Sequence, residues 1–284
     1  MTKSAVIMIL LIALLAGLAS SVAIFYQTEG VAFSYQSIRG EEVEIYGKGL
    51  YRHMSSDVAI QGIAQDYITL FLAIPLMIFA LMGTIKKSLK AKFCLAGIML
   101  YFWITYTLYT AMAMYNIMFL SYLSIMALSF FSLLRLLLGF DLKKFPTYFS
   151  AAPTKLVGSF LIFISLSIGL LWLGIIVPPL IDGSLYPASL QHYTTLIVQG
   201  FDLGLFLPLA FVSGWLMLKK QNLGLLLGTV YIIFLALLMS ALSAKIIAMG
   251  LNGVNIIPVV FIIPTFNLVS LTLALLLLLK IKPN

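Results

Sequence analysis

What most constrains this chain is a series of apolar segments of bilayer-spanning length, with its charges confined between them and sorted by sign. A hydrocarbon core of about 30 Å takes about 20 apolar helical residues. The sequence predicts such helices at 5–25, 66–85, 93–114, 117–139, 157–179, 201–218, 223–248 and 255–280. Lys3, Lys86, Lys87, Lys90, Lys92, Arg135, Lys143, Lys144, Lys155, Lys219, Lys220, Lys280 and Lys282 fall in one alternating set of ends and loops, with Asp141 as their acid. Glu29, Glu41, Glu42, Glu44, Asp57, Asp66, Asp182 and Asp202 fall in the other set, against Arg39, Lys48, Arg52 and Lys245. This is the positive-inside pattern, with both termini in the cytoplasm. The expected fold class is all-α, a polytopic transmembrane bundle of about eight spans in the plasma membrane.

Composition agrees. The chain is 62% hydrophobic and 9% charged, where soluble domains average about 25% charged residues. A net charge of +8 invites a nucleic-acid reading, which the placement of the cations rejects. They stand in short juxtamembrane groups, where orientation and contact with anionic lipid account for them. The lipid bilayer is therefore the expected partner. Cys94 is the only cysteine, which excludes an intrachain disulfide and cysteine-rich metal clusters.

The first span has a rival reading as a secretory signal, with Lys3 before an apolar run and Gly17 and Ala19 near a cleavage point. Its length exceeds the usual h-region of about 7–15 residues, which favours a retained helix. Only the segments 26–65 and 180–200 between spans are long enough to carry structure of their own. The chain reads as one membrane domain, 1–284. Tandem four-span halves, 1–140 and 155–284, are compatible with it. Gln61-Gly62 ahead of Asp66 echoes Gln199-Gly200 ahead of Asp202, and the pairs Lys86/Lys87 and Lys219/Lys220 follow. Such a repeat would be parallel, about an axis along the membrane normal.

Two polar stripes stand out at helical spacing. His53, Asp57, Gln61 and Gln65 recur at i, i+4, i+8 and i+12, and His192, Thr195, Gln199 and Asp202 at i, i+3, i+7 and i+10. Each would run toward the outer mouth of a span. The ordinary reading is the wet face of an interfacial helix. Gln65, Asp66, Gln199 and Asp202, however, sit at or inside the apolar boundary, where acids and amides are costly and mark sites. Lys245 lies about one turn inside span seven, where it either snorkels or meets an anion. Tyr106 and Tyr109, deeper in span three than an interfacial aromatic belt, are candidate walls. The expected site is thus an outward-facing polar pocket that binds or transports a small polar molecule, lipid headgroup or ion. Its ligand-binding residues would be Gln65, Asp66, Tyr106, Tyr109, Gln199, Asp202 and Lys245.

Two other classes remain open. A membrane-embedded metal-dependent hydrolase would draw nitrogen and oxygen ligands for a transition metal such as zinc from His53, Asp57, His192 and Asp202. An accessory subunit would dock a membrane partner through 26–65 or 180–200. No nucleotide, flavin or haem signature is present, nor a His-Glu-x-x-His or Gly-x-Ser-x-Gly motif. Gly200-x-x-x-Gly204 and Gly224-x-x-x-Gly228 fit close helix packing.

Gly47-Lys-Gly-Leu-Tyr-Arg52, Ala64-Gln-Asp66, Tyr106-Thr-Leu-Tyr109 with Tyr115-Asn116, and His192-Tyr-Thr-Thr-Leu-Ile-Val-Gln-Gly-Phe-Asp-Leu-Gly204 together resemble an uncharacterised family of prokaryotic multi-pass membrane proteins. The resemblance covers most of the chain. It implies an integral plasma-membrane protein and carries no activity with it.

Overall fold

The computed structural model describes residues 1–26 and 28–282. Among these, eight helices are long and apolar enough to cross a membrane. Numbering only these, they are α1 (Lys3–Phe25), α2 (Ser56–Ile85), α3 (Leu89–Met112), α4 (Phe119–Leu138), α5 (Thr154–Asp182), α6 (Ile197–Leu218), α7 (Asn222–Leu251) and α8 (Val259–Lys280). Every expected span corresponds to one of them.

An even number of crossings brings both termini to one end of the bundle. Arg135 at the end of α4 donates to the Thr2 hydroxyl at 2.6 Å, and the Lys90 ammonium donates to the Leu279 carbonyl at 3.2 Å. We call this the lysine end. The opposite end carries a feature absent from the all-α expectation, an antiparallel hairpin of β1 (Phe33–Gln36) and β2 (Glu42–Ile45), with Phe33 opposite Ile45 and Gln36 opposite Glu42. Val43 and Ile45 face inward while Glu42 and Glu44 face out, the period-two alternation of a half-buried strand.

α3 and α7 form the centre. About two thirds of the apolar window of α3 and 78% of that of α7 are buried, against 39% or less for the other six. α3 packs on α2, α4 and α7, and α7 packs on α2, α3, α6 and α8. Their crossing depends on Gly97, where a Cβ would stand 2.5 Å from the Ile233 side chain. Small residues at such crossings let helices approach where no hydrophobic effect drives association. Gly224 and Gly228 of α7 do the same against α6. Gly200 and Gly204 do not, because no atom lies within 4 Å of where their Cβ atoms would be. That part of α6 lacks the neighbour the motif led us to expect.

α2 and α6 share a local break. Each contains a π-helical turn, Thr69–Ala73 in α2 and Asp202–Phe206 in α6, followed by Ile74-Pro75 and Leu207-Pro208. Proline removes a ladder donor and its ring crowds the carbonyl one turn back, and a widened turn relieves that crowding. Both helices then end on a lysine pair whose second member has positive φ, 64° at Lys87 and 54° at Lys220. Thr69 is as far from Pro75 and Lys87 as Asp202 is from Pro208 and Lys220. In this register Asp202 corresponds to Thr69 and Gln199 to Asp66, which is not the register of the Gln-Gly echo.

Candidate functional site

α2 begins at Ser56, ten residues before the expected span. Ser55 and Ser56 suit a helix start, and Asp57 in the first turn complements the positive end of the helix dipole. The first turns of α2 therefore carry Asp57 and Gln61 at the hairpin end and lower Gln65 and Asp66 into the bundle. His53 precedes the helix in a turn, and His192 and Thr195 precede Ile197, where α6 starts. Neither histidine heads a helical stripe. The spacing that suggested one is coincidental upstream of each helix start.

Asp66 is 1% exposed. Ser20 of α1 donates to its Oδ1 at 3.0 Å, and the Tyr51 hydroxyl donates to its Oδ2 at 2.6 Å. Tyr51 reaches this position because Gly62 leaves room for its ring; a Cβ there would meet it at 3.1 Å. Burial, and next the Asp66 charge, hold the Tyr51 phenol well above its ordinary pKa, so it serves as a donor. Gln65, 2% exposed, donates to Tyr101 at 2.6 Å and to Thr105 at 3.5 Å across the α2–α3 interface. Thr69 completes that group, donating to the Gln65 carbonyl at 3.0 Å and lying 3.0 Å from the Tyr101 hydroxyl.

Tyr109 donates to the Gly62 carbonyl at 3.0 Å. Its ring stands edge-on to Tyr51 at 6.2 Å, to Tyr106 at 5.5 Å and to Tyr122 at 5.5 Å. The hydroxyls of Tyr106 and Tyr122 are buried without hydrogen-bond partners among the described residues. The walls expected from Tyr106 and Tyr109 are thus part of a four-tyrosine cluster packed against α2 beside Asp66.

On the other side of α7, the Trp172 indole of α5 donates to Asp202 Oδ2 at 2.8 Å. Gln199 is half-buried one turn before Asp202 and makes no side-chain hydrogen bond among the described residues. Lys245, near the hairpin end of α7, is within electrostatic reach of both acids. The single ion pair of 4.0 Å or less among the described residues is Lys144–Asp141 at the lysine end. The structure therefore gathers Asp66, Asp202 and Lys245 around α7 without closing either carboxylate onto the ammonium.

A second assembly closes the hairpin end. Arg39, in the hairpin turn, donates from Nη2 to the carbonyls of Gln191 at 2.6 Å and Tyr193 at 2.7 Å, and its guanidinium lies 5.5 Å from the Tyr186 ring centre. The Tyr193 hydroxyl accepts from the Ser55 amide at 3.4 Å, and burial raises its pKa. His192 Nε2 lies 3.2 Å from the His53 carbonyl, and its ring packs on Tyr193 at 4.5 Å and on Tyr35 at 6.2 Å. Burial lowers the His192 pKa, the His53 carbonyl opposes that shift, and the charge of Arg39 adds to it. The segments before α2 and before α6 thus form one cap.

The four residues considered as metal ligands are not assembled as a set. His53 is exposed and accepts from the Arg52 Nε at 3.1 Å, His192 holds the His53 backbone, Asp57 is in the first turn of α2, and Asp202 binds Trp172. No group of three or more His, Cys, Asp or Glu positioned to hold a metal ion occurs among the described residues.

Ser20, Tyr51, Trp172 and Arg39 escaped the sequence reading. Trp172 carried a usable signal, being an indole in mid-span whose N–H needs an acceptor. Ser20 and Tyr51 carried none, since only the fold brings them to Asp66. No protein-family model, no curated protein and no solved structure matches this chain.

Proposed function

We propose that this chain is a multi-pass plasma-membrane protein that binds or transports a small polar molecule or ion. Its binding residues are Asp66, Lys245, Asp202 and Gln199 around α7, and its hairpin end faces outward. The observation that carries this reading is two carboxylates and an ammonium inside candidate membrane spans with no ion pair among them. Acids and lysines inside membrane spans are costly to insert, and such residues mark substrate or ion pathways. Charges held near one another but unpaired are available to a ligand.

The paired π turns support it further. In transporters, sites form where spanning helices are interrupted and backbone carbonyls lose their helical partners. Both interruptions here lie beside the acids, Asp202 within one and Asp66 one turn before the other. Gln65 and the tyrosine cluster act as the scaffold, since Gln65 spends its amide donors on α3. The lysine end, with its excess of Lys and Arg, faces the cytoplasm by the positive-inside rule.

The test is a thermal-shift screen of the detergent-purified protein against amino acids, sugars, phospholipid headgroups and inorganic ions. Support is a compound that raises the melting temperature of the parent and leaves Asp202→Asn and Lys245→Met unmoved. A compound that stabilises all three equally would place binding elsewhere and remove the reading.

A further inference from the structure

At the hairpin end, apart from the membrane-embedded charges, lies a cavity of about 440 Å³ lined by β2, the start of α2 and the segment before α6. Four of its lining residues are acids, Glu41, Glu42, Glu44 and Asp57, and none is basic. Among the described residues, none of these carboxylates has a lysine or arginine within 4.0 Å. Arg39, in the hairpin turn, is turned to the backbone carbonyls of Gln191 and Tyr193. Glu42 accepts one hydrogen bond, from Ser34. Four like charges around one concavity repel each other and focus a negative potential within it.

A second observation is independent of the charges. Ser55 lines the same cavity, is 1% exposed, and its hydroxyl has no partner among the described residues. The side-chain oxygen of Gln191, also in the lining, is buried and unpartnered. A buried oxygen without a donor forfeits the hydrogen bond it would make to water, and a donor group brought to the cavity restores it.

We propose that this cavity is a binding site for a linear organic di- or polyamine. The carboxylates do not converge in the way a metal ion requires, since no group of three or more acids or histidines is positioned as metal ligands among the described residues. They are spread around a volume far larger than an ion. Spaced carboxylates suit spaced ammonium groups, each of which brings three donors and no acceptor. Glu42 and Glu44 share the outer face of β2, about 7 Å apart at two strand steps. That is close to the separation of ammonium groups on a short aliphatic chain. The Ser55 and Gln191 oxygens then accept the remaining N–H groups. This proposal does not depend on the membrane-embedded site.

The experiment is equilibrium binding of radiolabelled spermidine to the full-length protein in lipid nanodiscs, in 150 mM sodium chloride. Two variants accompany it, the triple neutralisation Glu42→Gln/Glu44→Gln/Asp57→Asn and the cation insertion Ala188→Lys, the latter at an exposed lining position. Saturable binding, weakened tenfold or more in both variants and not displaced by an equal concentration of magnesium, is the expected result. Because Ala188→Lys removes no residue of the hairpin, a failure of the triple variant to fold leaves the test intact. Absence of saturable binding, equal affinity in parent and Ala188→Lys, or full displacement by magnesium would each overturn the proposal.

Discussion

The Tyr51 hydroxyl donates a 2.6 Å hydrogen bond to the buried carboxylate of Asp66. It ties the segment that carries the hairpin to the deepest acid of α2. The acid is thereby placed by a residue outside the spans, and the cap and the bundle interior become one unit.

Tyr51→Phe removes one of the two hydroxyls that solvate Asp66 and leaves Ser20 as the other. Leaving a buried acceptor short of a donor costs about 1–3 kcal/mol, with more for a charged group. The expected outcome is a lower unfolding midpoint in detergent, with Ser20→Ala/Tyr51→Phe lower again. A midpoint equal to that of the parent would show that Asp66 does not need its donors.

The cap should loosen with acid. Burial and Arg39 hold the His192 pKa below its ordinary 6.5 in the folded cap. The opened cap therefore binds more protons below about pH 6.5, and closed-state stability falls as pH drops through that value. Protection factors of the 186–193 amides, that is, exchange rates corrected for the intrinsic pH dependence, should fall between pH 7.5 and pH 5, and His192→Gln should flatten that dependence. Arg39→Ala should quicken exchange at both pH values, since it deletes two charge-assisted bonds to that segment.

Gly97→Ala tests the centre of the bundle. Its added Cβ would stand 2.5 Å from the Ile233 side chain and 3.0 Å from the Val230 carbonyl. Overpacking of this kind costs about 1–3 kcal/mol, so the variant should melt below the parent. Gly174→Ala, with no atom within 4 Å of its Cβ position, is the matched control and should melt close to the parent.

Orientation is open to labelling. With Cys94 replaced by serine, Ile38→Cys in the hairpin turn, where the native side chain is 92% exposed, should react with an impermeant maleimide in intact cells. Lys143→Cys at the lysine end should react only after the membrane is opened. The reverse pattern would invert the topology.

Much of this fold was legible in the sequence, and the reason is physical. Bilayer-length apolar runs bounded by lysine pairs leave little choice of span, so the span register held to within a few residues apart from the early start of α2. The hairpin was not legible, because Phe33–Gln36 and Glu42–Ile45 are four-residue strands with no cross-strand signal except the alternation around Val43 and Ile45. The π turns were visible only as Pro75 and Pro208, since proline is common in membrane helices and does not by itself widen a turn. Among the site residues, depth singled out Asp66, Asp202 and Lys245. It could not show that Gln65 is consumed by Tyr101 or that His53 lies outside the helix. Those outcomes depend on which helices become neighbours and where each helix starts.

The membrane-embedded charges are best examined through the unfolding midpoint of Lys245→Met in detergent, which requires no knowledge of the ligand. A lysine kept for binding, half-buried inside a candidate span and without an ion pair, costs the fold its placement there, and an apolar replacement of similar length should leave the midpoint unchanged or raise it. A lysine that holds the bundle together would behave oppositely. Its loss would leave the buried Asp66 carboxylate uncompensated at about 3–5 kcal/mol, and a midpoint falling to match would contradict the assignment of Asp66, Lys245 and Asp202 as a binding site.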